Sequence, residues 1–352
     1  MLLLLCLFTW YCSSSGSQRK NQENPKTAFV FYYAAERDIE QGNFQEAVAK
    51  LDSAISYNAG YANFHQVKGW VYEALDKPDS AIAAYEKCLQ YRSSYPEVWP
   101  RLGKLHLKAQ NYENATFYLK RAVQEYPDSA DINLKLGEAF YKYQKYPLAL
   151  DYLRAYRKLV STPESQFWKW LGLTYYRTND YAKAVEPLEK YVQLVPDDGP
   201  ALKYLGIAKF NTGRHDDALT YLNLAAEYRK DDPEVHLYRA RYFLLYNKPD
   251  AAREELSTGL TVDSLNTDVL YELGVLDYKE EKFEESNKHF QKIIRSAPQY
   301  WPAYRYLGFL AERNNKLLEA QDYYNLYLKN TPVEDTEVLR RLENLSSHLK
   351  KN

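Results

Sequence analysis

The chain has 352 residues, 45% hydrophobic and 26% charged, a composition that builds a packed core and excludes a wholly disordered chain. Its 46 Lys and Arg stand against 47 Asp and Glu, a net charge of −1, which excludes a broadly basic surface for nucleic-acid phosphates. Three cysteines (Cys6, Cys12, Cys88) are too few and too scattered for a disulfide framework or a zinc site.

In chain order, the first element is the apolar run MLLLLCLFTWYC, residues 1–12. It is shorter than the roughly 20 residues of a membrane-spanning helix and has the length of a signal-peptide core. The polar stretch SSSGSQRKNQENPKT, residues 13–27, follows as a flexible tether. The pairing resembles a bacterial lipoprotein leader, which implies lipidation of Cys12 and a place in the cell envelope. Two features depart from that pattern: no Lys or Arg precedes the run, and Tyr11 is bulky beside the cysteine. The alternative is an apolar tail on a cytoplasmic protein.

From residue 28 the chain is periodic. Small residues recur as Ala35, Gly69, Gly103, Gly137, Gly172, Gly206, Ala240, Gly274 and Gly308, every step being 34 residues except one of 35. Twelve residues after each stands a second small series: Ala47, Ala81, Ala115, Ala149, Ala184, Ala218, Ala252, Ser286 and Ala320. Four residues further on comes a bulky one: Leu51, Tyr85, Leu119, Leu153, Leu188, Leu222, Leu256, Phe290 and Tyr324. Each period reads as two helices, A and B, joined at Gly42, Asp76, Asn179, Gly213, Asn247 or Asn315, which are turn residues. A glycine inside helix A costs up to about 1 kcal/mol relative to alanine. That cost is offset if the missing side chain lets helix B approach, with alanine facing it and the bulky series packing between neighbouring repeats.

A 34-residue period carrying W-x-x-L-G (Trp99 to Gly103, Trp168 to Gly172), a later alanine, a large apolar residue and a closing proline (Pro127, Pro196, Pro298, Pro332) resembles the tetratricopeptide repeat. The resemblance implies an all-α, right-handed superhelical solenoid of about nine repeats over residues 28–334, starting near residues 28, 62, 96, 130, 165, 199, 233, 267 and 301. Val338, Leu342, Leu345 and Leu349 then form one stripe, so residues 335–352 are expected to be a C-terminal capping helix.

The resemblance also implies that helix A lines the inner face, with positions 2, 5, 9, 12 and 13 of each repeat facing a partner. Projection places Tyr32, Trp70, Tyr141, Tyr176, Phe210, Tyr271, Tyr278 and Phe309 there, with Lys104, Lys108, Lys142, Lys169, Arg177, Lys203, Arg241, Lys279, Arg305 and Arg313. Glu97, Asp131, Glu234 and Asp268 occupy position 2, where a carboxylate complements the helix dipole, and are set aside as structural. The other acids are Glu36, Glu40, Glu73, Glu138 and Glu312, leaving the fifth and sixth repeats with cations alone. A groove of that character suits a protein or extended peptide bearing acidic and aromatic or apolar side chains. No repeat has the lysine–asparagine pair with which some members of the family hold chaperone tails. Glycan or peptidoglycan binding on exposed aromatic rings is the alternative. The six histidines are dispersed, and H-E-x-x-H, G-x-x-x-x-G-K-[ST] and G-x-S-x-G are absent. The expectation is therefore a non-enzymatic scaffold without metal or other cofactor and without a nucleic-acid partner.

Overall fold

The computed structural model describes residues 24–228, 231–332 and 334–349. Cys12, the apolar run and residues 13–23 of the expected tether lie outside the described residues. The chain divides into two compact units, Met1–Ser161 and Thr162–Asn352. In the first, α1 (Pro25–Glu40) pairs with α2 (Phe44–Tyr57), α3 (Ala62–Ala74) with α4 (Pro78–Tyr91), α5 (Val98–Lys108) with α6 (Tyr112–Glu125), and α7 (Ala130–Lys142) with α8 (Tyr146–Leu159). In the second, the pairs are α9 (Ser165–Arg177) with α10 (Tyr181–Leu194), α11 (Gly199–Asn211) with α12 (His215–Tyr228), α13 (Pro233–Leu245) with α14 (Pro249–Val262), α15 (Thr267–Lys279) with α16 (Phe283–Ser296), and α17 (Pro302–Arg313) with α18 (Leu317–Asn330). A last helix, α19 (Thr336–Leu349), packs on α18. No strand occurs among the described residues, and the nine pairs fall on the nine expected repeats. The first helix starts at Pro25, ahead of the boundary expected at residue 28. Proline suits a first helical position, and Asn24 caps it by accepting the Thr27 amide at 3.3 Å.

Every A–B turn closes in the same way. One residue per turn has φ between 50° and 81°: Gly42, Asp76, Gln110, Gln144, Asn179, Gly213, Asn247, Glu281 and Asn315. The amide of the next residue returns to a carbonyl five positions back, from Asn43 to Asp38 at 2.7 Å in the first repeat and from Lys316 to Ala311 at 2.9 Å in the ninth. This 6→1 bond satisfies a helix-end carbonyl and turns the chain directly into helix B.

All members of the two small series and of the bulky series are buried. The glycine has a more specific partner than the facing alanine. A Cβ on Gly103 would stand 2.4 Å from Leu119 Cγ, and one on Gly308 would stand 2.2 Å from Tyr324 Cε1. The bulky side chain of helix B thus fills the notch in its own repeat as well as packing toward the next, as Leu119 does with Ile132 and Leu136. Burying a Leu- or Phe-sized side chain contributes about 1.5–3 kcal/mol, which outweighs the glycine penalty. Ser286, the polar member of the alanine series, donates to the Gly274 carbonyl at 2.8 Å and leaves no unpaired hydroxyl.

Where the bulky residue is tyrosine, a polar arrangement replaces the apolar one. The Tyr85 hydroxyl donates to Glu73, and Arg101 of the next helix A reaches the same carboxylate at 2.9 Å. The Tyr324 hydroxyl donates to Glu312 at 2.8 Å, and Arg341 of α19 reaches Glu312 at 3.0 Å. Burial, with the neighbouring glutamate second, pushes both phenol pKa values well above the usual range, so both remain donors. The helix α19 buries Val338 and Leu345, and its Arg341 repeats the role of Arg101, so it stands where a tenth helix A would.

Candidate binding surface on the A helices

Half of the ten projected cations are held by acids at or just ahead of the next helix A. Lys169 donates to Asp198 at 2.8 Å and to the Tyr191 hydroxyl at 3.2 Å. Asp198 also caps α11, accepting the Ala201 amide at 3.0 Å. Lys203, nearly buried, lies 2.8 Å from Asp232 and 2.9 Å from Glu234, and Asp232 caps α13. Burial alone would depress both lysine pKa values, but hydrogen bonds to these carboxylates more than offset it and both are raised. Arg241 pairs with Glu272 at 2.8 Å, Arg305 with Asp335 at 2.7 Å and Glu337 at 2.9 Å, and Lys104 with Asp131 at 2.6 Å. Lys108 reaches back to Asp76 at 3.2 Å.

Two expectations are corrected. The fifth and sixth repeats do not carry cations alone, because acids just ahead of the next helix A neutralise Lys169 and Lys203. The position-2 acids do more than complement a dipole: Asp131 and Glu234 belong to these pairs, and Asp268 accepts the Tyr300 hydroxyl at 2.8 Å. An acid and a cation about 30 residues apart are brought together by one step of the stack.

Several projected aromatics fill space between helices. Tyr176 is buried against Tyr181 and Tyr204, with ring centroids 5.5 and 4.7 Å apart. Arg177 lies over Tyr204 at 5.5 Å. Phe210 meets His215 and Tyr238 edge-on, and Tyr271 packs on Phe290, Tyr300 and Tyr306. Lys142 is exposed in the last turn of α7.

Two depressions on the A helices hold accessible residues of this face. The first, about 500 Å³, lies in the first compact unit between α1, α3 and α5 and is lined by Glu36, Ile39, Glu40, Gln66, Val67, Trp70 and Arg101. The second, about 590 Å³, lies in the second compact unit on α15, α16, α17 and α19. Tyr278, Phe283 and Phe309 line it, with Lys279, Glu281, Glu312, Arg313 and Arg341. Arg313 sits over the Phe283 ring at 3.8 Å. Neither Lys279 nor Arg313 forms an ion pair among the described residues, whereas Arg341 is held by Glu312 and Glu337. A smaller depression of about 210 Å³ holds Lys104 and Lys108 beside Glu73 and Asp76.

Of the projected residues, Trp70 thus falls in the first depression, and Tyr278, Lys279, Phe309 and Arg313 come together in the second. Arg101, Phe283 and Arg341 were missed. A signal for the two arginines exists: the bulky series is tyrosine only at 85 and 324, and position 12 is glutamate only at 73 and 312. A buried Tyr–Glu pair calls for a counter-ion. Cys88 is buried, and burial raises its thiol pKa to about 11, so it is unreactive. Among the described residues no group of three His, Cys, Asp or Glu could hold a metal ion, and no helix is long and apolar enough to cross a membrane.

Comparison with known proteins agrees with this architecture. Tetratricopeptide repeat profiles match residues 62–95, 101–162, 144–199, 175–242 and 271–335, together more than half of the chain. Among curated proteins, BBSome complex member BBS4 of Bos taurus is 20% identical over 251 residues, which cover 71% of this chain and 48% of that protein. Protein O-mannosyl-transferase TMTC3 of Homo sapiens is 20% identical over 225 residues, 63% of this chain and 22% of that protein. The chain therefore spans about half the length of the first relative and less of the second. Among solved structures, a tetratricopeptide repeat protein from Parabacteroides merdae is 11% identical with a TM-score of 0.45, covering 68% of this chain and 94% of that one. The fold these repeats build is generally a non-enzymatic scaffold for protein–protein interaction. With its period, its paired helices and its matching profiles in agreement, the chain belongs to the tetratricopeptide repeat family.

Proposed function

We propose that this protein is a non-enzymatic scaffold that holds a partner protein or extended peptide against its A helices, the second depression receiving a segment with acidic and aromatic side chains. One observation carries the reading. Most cations on this face are neutralised internally, yet among the described residues Lys279 and Arg313 stand without ion pairs beside Tyr278, Phe283 and Phe309 in a depression of about 590 Å³. Aromatic rings supply contact area at low entropic cost, and unpaired cations in a recess attract carboxylates. The test is fluorescence polarisation with a labelled peptide of alternating Glu and Phe against one of alternating Lys and Phe. The acidic peptide is expected to bind, the basic one not, and Lys279→Glu/Arg313→Glu to weaken the acidic peptide at least tenfold. Equal binding to wild type and variant would overturn the reading.

The scaffold is tethered to the cell envelope through Cys12. The apolar run 1–12 ending in that cysteine and the polar stretch after it support this. In a bacterial host, incorporation of labelled palmitate is expected in the full chain and absent from Cys12→Ser; label retained by the variant would refute the tether.

A further inference from the structure

We propose that the first depression, between α1, α3 and α5, is a seat for an arginine side chain of a partner polypeptide. The inference rests on the reading that the A helices hold polypeptide partners, and it assigns this place a chemistry opposite to that of the second depression. The recess of about 500 Å³ has apolar walls from Ile39 and Val67, an aromatic surface from Trp70, and two carboxylates, Glu36 and Glu40. These acids stand four residues apart on α1, where like charges repel.

Among the described residues nothing balances their charge. Arg101, the one cation lining the recess among the described residues, is tied to Glu73 at 2.9 Å. Glu36 has the Tyr32 phenol as a neighbour, whose pKa is raised by burial and then by Glu36, so that neighbour brings no positive charge. Glu40 has no ion pair among the described residues. It is also the last residue of α1, where helix carbonyls disfavour an anion, so nothing in the helix itself calls for it. A carboxylate pair on a helix is ordinarily a solvated face; here both members open into a cavity walled by indole. Guanidinium matches that combination: its plane stacks on tryptophan while its edge donates two parallel hydrogen bonds to a carboxylate.

The full chain is labelled with 5-fluorotryptophan, and the Trp70 fluorine resonance is assigned by its loss in Trp70→Phe. N-acetyl-arginine amide is expected to shift that resonance saturably, and N-acetyl-citrulline amide, of the same shape without charge, to leave it in place. Glu36→Gln/Glu40→Gln is expected to weaken the arginine response at least tenfold with the other tryptophan signals unchanged. If the double variant disturbs those signals, the exposed Glu40→Gln alone is read, with a several-fold loss expected. Equal responses to both amides, no response to arginine, or unchanged affinity in the glutamine variants would overturn the proposal. Binding of the Glu–Phe peptide at Lys279 and Arg313 is read separately, so failure here with that binding intact overturns this inference alone.

Discussion

The depression on α1, α3 and α5 and the one on α15, α16, α17 and α19 share a wall design and differ in sign. Each is lined by an arginine that closes a buried Tyr–Glu group behind it: Arg101 with Tyr85 and Glu73 in one, Arg341 with Tyr324 and Glu312 in the other. Within each group the Glu–Arg charge cancels. The residual sign comes from the last turn or two of helix A, where the first depression carries Glu36 and Glu40 and the second carries Lys279 and Arg313. Cations there agree with the helix dipole and acids oppose it. The comparison teaches that the scaffold charges are internally spent, and that a few positions at the end of each helix A set what can dock.

The most disruptive way to break the comparison is to fill the glycine notch beneath each tyrosine. Gly308→Ala would bring a Cβ to 2.2 Å from Tyr324, and Gly69→Ala to 2.6 Å from Tyr85, with each hydroxyl anchored on its glutamate. Overpacking should exceed the helical gain from alanine, leaving a net loss of about 2 kcal/mol at each site. Gly137→Ala, facing a leucine, should lose less, because Ala35 and Ala240 already accommodate Leu51 and Leu256. Urea unfolding of the three variants decides the point, and equal losses would remove the special standing of the anchored rings.

A smaller effect separates the two depressions by pH. Burial pulls the Asp335 pKa up, but Arg305, the Val338 amide and Tyr327 together bring it below the usual aspartate value. A depressed folded-state pKa contributes stability above the unfolded value of about 3.9, and that contribution is lost as pH falls through the folded value. Acidification should therefore loosen the seat of α19 and with it the second depression. Asp335→Asn is expected to lose about 1 kcal/mol near pH 6 and to show a shallower decline between pH 5 and pH 3. Parallel declines in urea unfolding at the two pH values would remove Asp335 from the explanation.

The smallest change sharpens the contrast. Glu281 lines the second depression and holds a φ of 62°, a conformation that asparagine tolerates better than glutamate. Glu281→Asn should stabilise by about 0.5 kcal/mol and strengthen binding of the Glu–Phe peptide by removing an acid from a basic recess. A variant no more stable, with weaker peptide binding, would contradict both parts.

Much of the architecture was legible residue by residue. The small and bulky series located both helices of every repeat, because a side chain removed from one rod and added to the other is a local requirement that each repeat must satisfy. Six of the nine left-handed turn residues announced themselves as Gly, Asp or Asn. Gln110, Gln144 and Glu281 gave no sign, since their strain is tolerated only because the hydrogen-bonded turn and the packed helices hold them there. The binding face was less legible. Counting charges on each helix A assigned an excess to Lys169 and Lys203 that Asp198 and Asp232 remove.

By itself, then, the order of residues determined the repeat, its helical pairs and the places where the rods touch, because those follow from side-chain size at fixed spacing. Which charges survive at the surface was decided by tertiary structure alone. Electrostatic energy depends on separation and surroundings, and stacking brings a lysine to within 3 Å of an acid 29 residues away while leaving Glu40 and Lys279 open to whatever arrives.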